Sequence, residues 1–222
     1  CFRGHKKIVE LFIRSKADAE LEDHFRRVPL YVACDRGWLE IVTLLLEYKA
    51  DVNKICIIDQ TCLYVACENG HKNIVEKLLQ HGANTEISNF DNHTPLHIAC
   101  EKGHIDIVEL LLKNHAVVEK VDNDGLTPLH VAMAKGHMKI ADMILKTKPT
   151  TDKFSELVNA CSLGQVDKVD ELLTEENLNV NQSTGNGQSL LHVACIGGHE
   201  AVVERLLKAK ADINRTDLDR KT

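Results

Sequence analysis

Aromatic residues are scarce in this chain, at 4% of its 222 positions. A core short of large rings has to be filled by Leu, Ile, Val and Ala, which fits an elongated helical protein. Long apolar runs are missing as well. The uninterrupted stretches are as short as Leu44 to Leu46, whereas a bilayer-crossing helix needs roughly 20 apolar residues, so membrane insertion is not expected. No signal peptide is visible, and the chain opens on Cys1 rather than on a Met. Excess positive charge is absent too: 27 Lys and Arg stand against 33 Asp and Glu, a net charge of −6. Binding a polyanion needs clustered cations that release counterions, which argues against nucleic acid as a partner. The length suffices for one large domain or two small ones, with a substantial core in either case.

The motifs of catalysis are also missing. There is no H-E-x-x-H run, no Gly-rich phosphate loop and no Ser-His-Asp arrangement to suggest hydrolysis. The chain is therefore expected not to be an enzyme, with no catalytic residue and no cofactor. Eight cysteines are present, but none has the C-x-x-C or C-x-x-H spacing of a metal site.

What the chain does have is a period. Cys1, Cys34, Cys67, Cys100, Cys161 and Cys195 share one register, and Met133 fills the same slot once. Beside them, Ala33, Ala66, Ala99 and Ala132 follow at steps of 33 residues, then Ala160 after 28 and Ala194 after 34. Around these positions run the phrases "VPLYVACDRGWLEIVTLLLEYKADVN", "TCLYVACENGHKNIVEKLLQHGAN", "TPLHIACEKGHIDIVELLLKNHAV" and "TPLHVAMAKGHMKIADMIL". Each phrase has a physical reading. Thr94 or Thr127 offers an oxygen to the free amides of a first helical turn, and Pro95 or Pro128 follows where a missing N–H costs nothing. Gly4, Gly37, Gly70, Gly103, Gly136, Gly164 and Gly198 lie three residues past the register position, where a left-handed residue ends that helix. A second helix follows, with paired apolar positions such as Ile41, Val42, Leu45 and Leu46. A helix pair of about 33 residues cannot bury its oily face alone, so neighbours have to stack.

These phrases resemble the ankyrin repeat, whose T-P-L-H-x-A and G-H-x-x-I-V-x-x-L-L wording they carry over essentially the whole chain, in about seven copies. The resemblance implies an all-α solenoid of helix-turn-helix pairs with projecting β-hairpin fingers. The repeat boundaries read as a first block, 1–147, with a partial repeat 1–21 and then 22–54, 55–87, 88–120 and 121–147. A second block, 148–222, contains 148–182, 183–215 and a partial 216–222. Between them the step is five residues short, so Lys148 to Asp152 is either a linker or a bend inside one continuous stack. Both ends cut through repeats without a polar cap, as in an excerpt of a longer repeat protein.

The register cysteine then needs no chemistry, because a slot beside a small Ala near a helix end calls for a compact apolar side chain. Packed helices stand about 8–10 Å apart, too far for successive register cysteines to form disulfides, whose Cα atoms lie within about 7 Å. Unbridged cysteines suggest a reducing, cytoplasmic setting. Eight of the twelve histidines are repeat positions as well: His97, His130 and His192 in the first helix, and His5, His71, His104, His137 and His199 after the glycine. The resemblance implies that they make hydrogen bonds within and between repeats.

Function is expected where the copies differ. In ankyrin proteins the finger tips and the exposed end of the first helix form a groove that takes protein or peptide partners. The resemblance maps that groove onto Phe25 and Arg27, Arg36, Ile57, Ile58 and Gln60, Glu68 and Asn69, Phe90, Asp91 and His93, Glu101 and Lys102, and Leu126. The finger "NKICIIDQ" departs from the usual polar wording, placing Ile55, Cys56, Ile57 and Ile58 between the Phe25 and Phe90 fingers. The expected function is a non-catalytic, monomeric protein-interaction module. The alternative is a spacer or scaffold segment of a larger membrane-linked or cytoskeletal protein. Asn53 and Asn214 resemble the family's acceptor for asparaginyl hydroxylation, though their phrase is also ordinary hairpin sequence.

Overall fold

A computed structural model describes residues 3–147, 153–175, 178–184 and 187–216. The repeated phrase folds as its punctuation dictates. A short helix α1, Lys6–Arg14, is followed by the pair α2, Pro29–Asp35, and α3, Leu39–Glu47. Three further pairs succeed it: α4, Cys62–Glu68, with α5, Lys72–Gln80; α6, Pro95–Lys102, with α7, Ile105–Lys113; and α8, Pro128–Ala134, with α9, Met138–Lys146. Then come α10, Lys153–Ser162, with α11, Val166–Leu173, and α12, Leu190–Ile196, with α13, Glu200–Lys208. None of these helices is long and apolar enough to cross a membrane.

The first helix of a pair starts where a hydroxyl meets its amides. Thr61 accepts from the Tyr64 N–H at 3.2 Å. Thr94 accepts from the His97 N–H at 3.3 Å while its own N–H donates to His97 Nδ1 at 3.2 Å, and Ser189 and His192 repeat this reciprocal cap. Such a cap contributes about 1 kcal/mol. In α2, Val28 stands at the cap position and Pro29 alone sets the entry.

Two compact units emerge, residues 1–128 and 129–222. In the first, α2 packs on α4 and α4 on α6, while α1, α3, α5 and α7 stack in a second row behind them. Leu30, Ile41, Leu45, Leu63, Leu78, Leu96, Ile107 and Leu111 are fully buried between the rows, each contributing about 1.5–3 kcal/mol. In the second, α10 packs on α12 and α11 on α13, around Leu157, Leu172 and Val202. The stretch 148–152, where the sequence places its block boundary, lies outside the described residues, as does the central Gly185–Asn186 of the "STGNGQS" finger.

Two sequence expectations change. The projecting fingers are turns rather than β-hairpins with ladders: among the described residues the sole strand-like pairing is the bridge Ser183–Ser189. Five residues per turn leave no length for a ladder. The register cysteines Cys34, Cys67, Cys100 and Cys161 are buried as expected, but Cys195, in α12, is exposed. The seven described cysteines are free thiols.

Candidate functional site

Each finger is a five-residue turn closed by one backbone bond. The N–H of the first residue donates to the carbonyl of the fifth: Asp23 to Arg27 at 3.0 Å, Cys56 to Gln60 at 2.9 Å, Asn89 to His93 at 3.0 Å and Asp122 to Leu126 at 3.0 Å. In three of these turns the first side chain adds order. Asp23 Oδ1 accepts from the N–H groups of Phe25 and Arg27 at 2.9 and 3.0 Å, and Asn89 and Asp122 do the same for Asp91 and His93 and for Asp124 and Leu126. The fourth residue is left-handed throughout, with φ of 60° at Arg26, 55° at Asp59, 62° at Asn92 and 75° at Gly125.

The apolar finger breaks this pattern. Cys56 has no side-chain oxygen to order the tip, and its thiol turns inward, 1% exposed. The backbone compensates with two consecutive left-handed residues, Ile58 at φ 53°, ψ 35° and then Asp59. A β-branched residue there is strained by on the order of 1–2 kcal/mol. Of the four apolar residues expected on this finger, Ile55 and Ile58 are exposed, Ile57 is half-buried and Cys56 belongs to the core. Burial pushes the Cys56 thiol up to about 11.

The remaining expected residues differ in exposure and in their contacts. Phe25 and Phe90 are each 61% exposed and Ile58 54%. Arg27 stacks over the Phe25 ring at 4.8 Å and pairs with Asp23 at 2.7 Å. That side-chain bond, with the N–H groups of Arg27 and Phe25, holds the Asp23 carboxyl down at about 2. Arg36 pairs with Asp35 at 3.3 Å, and Asn69 donates to the same carboxylate at 3.3 Å. Gln60 Oε1 accepts from the Tyr31 hydroxyl at 2.7 Å, so that side chain ties a finger to the preceding helix pair. His93 Nε2 donates to Asp122 Oδ2 at 3.1 Å and its ring stacks on His97. Glu68, Asp91, Glu101 and Leu126 are half-buried, and Lys102 is exposed. Asn53 bridges repeats: its amide donates to the Gly82 carbonyl at 3.3 Å and accepts from the Asn84 N–H at 2.8 Å, whereas Asn214 is exposed.

Sequence reasoning missed the partners that reach across repeats. Asn89 donates to the Tyr64 hydroxyl at 3.3 Å, and Asn123 clips the fourth finger to the third through Phe90 O at 3.1 Å and Asp91 O at 3.0 Å. Cys62, outside the register, lies against Cys34, and that contact together with burial pushes its thiol well above the usual range. Burial also raises the phenols of Tyr31 and Tyr64, with added repulsion from Asp35 and Glu68 at the first and from Glu68, Glu101 and Asp91 at the second. A polar residue at the first or fifth finger position, set against a Tyr in the preceding helix, was the available signal.

Short helices in glycine-ended pairs, stacked within each unit and separated by protruding turns, define a helical repeat protein. A family model described as "Ankyrin repeats (3 copies)" matches residues 1–89, 85–155 and 149–217, and the chain belongs to that family. Ankyrin repeats generally mediate protein–protein interactions and are typically non-catalytic.

Proposed function

We propose that the finger row of the first unit, with the adjoining ends of α2, α4 and α6, binds a protein or peptide partner. The observation that supports this most directly is the exposure of Phe25, Ile58 and Phe90 on neighbouring turns. Water-facing aromatic and aliphatic side chains in series mark interaction surfaces, and the turn hydrogen bonds hold two of these fingers in place before a partner arrives. Strain at Ile58 adds weight, because a left-handed β-branched residue persists where the surroundings or the function demand it.

Affinity capture with the 222-residue chain beside Phe25→Asp, Ile58→Asp and Phe90→Asp variants tests the reading. Each variant is expected to weaken binding about tenfold or more, equivalent to losing roughly 1.5–3 kcal/mol of apolar burial, while leaving the melting curve in place. Ile58→Asp should even melt slightly higher, since Asp tolerates a left-handed backbone better than Ile does. Partners that ignore all three substitutions would move the assignment to a spacer segment.

A further inference from the structure

Beyond the groove reading, we infer that the stack is jointed between α9 and α10, so that α10–α13 open and unfold as one body, separately from α8–α9. The argument starts from three positions that the repeats share, counted from the small Ala of each first helix. The residue before that Ala is Val32, Val65, Ile98, Val131 and Val193, and all of these are buried. The residue eight places after it is Ile41, Ile74, Ile107, Ile140 and Val202, again all buried. Five places after it stand His71, His104, His137 and His199. The copy built on Ala160 replaces all three, with Asn159, Lys168 and Gln165.

The fold brings these replacements to one place. Asn159, Gln165 and Lys168 line a cleft of about 760 Å³ together with Asp142, Leu145 and Lys146 of α9. The cleft lies wholly inside the second compact unit. Its ion pairs do not cross it: Lys146 holds Asp142 at 2.5 Å within α9, and Lys168 holds Glu156 at 3.2 Å and Glu171 at 3.0 Å within the α10–α11 pair. Asn159 and Lys168 are half-buried where the other copies bury aliphatic side chains. A carboxamide and an ammonium resist drying, so this seam stays open to solvent where the others are closed.

Beyond the seam the stacking is tight again. His199 covers Gly164 and reaches Ser162 O at 2.9 Å, Asp170 pairs with Arg205 at 3.5 Å, and the Asp212 N–H donates to Asn181 Oδ1 at 2.8 Å. In a stacked array stability is close to a sum of repeat and neighbour contributions, so one weak neighbour contribution divides the array into separate cooperative bodies. The finger row of Phe25, Ile58 and Phe90 belongs to the first unit, and it stays folded when α10–α13 open.

Hydrogen exchange read by mass spectrometry on the whole 222-residue chain tests the joint. Peptides from α10–α11 and from α12–α13 should exchange together, and about tenfold or more faster than peptides from α8–α9. Fraying from the C-terminal side would give a different pattern, with α12–α13 fast and α10–α11 as slow as α8–α9. Asn159→Val with Gln165→His and Lys168→Ile restores the residues of the other copies, and should remove the step between α9 and α10. Circular dichroism checks that this triple variant folds. Should it not, Asn159→Val alone, which changes no charge, decides the matter by shrinking the step about threefold.

Three results each overturn the inference. They are a parent chain with no step in exchange between α9 and α10, a gradient that rises from α10 to α13, and a folded restored variant that keeps the step.

Discussion

The imidazole of His71 lies directly over the Cα of Gly37, one repeat earlier, and its Nε2 is 3.3 Å from the carbonyl oxygen of Asp35. The same lock recurs one repeat on, where His104 covers Gly70 and reaches Glu68 O at 3.3 Å, and in the second unit, where His199 covers Gly164 and reaches Ser162 O at 2.9 Å. Trp38 covers Gly4 by its ring face alone. The glycine thus has two reasons to be glycine: its φ is positive, and the next repeat occupies the space a Cβ would need. At Gly136 nothing among the described residues lies within 4 Å of where a Cβ would stand, and the residue at the next histidine position of the sequence is Gln165.

Those two reasons can be separated. Gly37→Ala forces a Cβ to within 2.9 Å of His71 Cε1 at φ 76°, whereas Gly82→Ala at φ 82° meets nothing within 4 Å. The Gly82 variant should lose about 1 kcal/mol from backbone strain alone. The Gly37 variant should lose about 2–4 kcal/mol, the excess coming from displacing the ring and its hydrogen bond. Urea titrations of both variants check this, and equal losses would remove the lock as a source of stability.

Much of this architecture was legible beforehand because it is periodic. A glycine three residues past a small apolar slot, followed by paired Ile-Val and Leu-Leu positions, specifies where each helix ends and which face it buries. Cys195 shows the limit, since it shares the register of the buried cysteines and is exposed. The fingers were harder to read. Gln60 and His93 look like free tip residues until Tyr31 and Asp122 are placed beside them, and those contacts join residues 29 apart in the chain. Likewise "ICII" reads as four exposed apolar side chains, but the missing Asx oxygen at Cys56 turns the thiol inward and forces Ile58 left-handed.

Thiol reactivity should follow burial. Cys67 and Cys100 are 0% exposed and desolvation drives their ionisation far above neutral pH, while Cys161 is pushed up to about 12. Only the thiolate attacks a disulfide reagent. Mass spectrometry after brief treatment with an aromatic disulfide at neutral pH should find Cys195 modified first among the described residues. Cys34, Cys56, Cys62, Cys67, Cys100 and Cys161 should react at the rate of local unfolding, and much faster in urea. Prompt labelling of Cys67 in the native protein would contradict its place in the core.

His97 makes stability depend on pH. Its ring is 0% exposed, Nδ1 accepts from Thr94, and Nε2–H donates to Leu126 O at 3.1 Å. Desolvation lowers its pKa to about 4 against the opposing pull of the Leu126 carbonyl, with His93 lowering it further and Asp122 raising it. The folded value lies below the ordinary 6.5 of an unfolded histidine, so between the two the unfolded chain holds a proton that the native chain does not. Stability from this group is therefore complete above about pH 6.5 and falls by about 1.4 kcal/mol per pH unit on acidification, up to about 3 kcal/mol in all. Tyr31 and Tyr64 occupy the same register and carry a phenol that stays neutral throughout this range. His97→Tyr should accordingly flatten the profile of melting temperature between pH 7 and pH 4 relative to the parent chain. His93→Gln, which removes the neighbouring half-buried ring and its bond to Asp122, should leave most of the slope. A parent profile that is flat in this window, or a His97→Tyr profile as steep as the parent, would show that the buried imidazole is not the group being protonated.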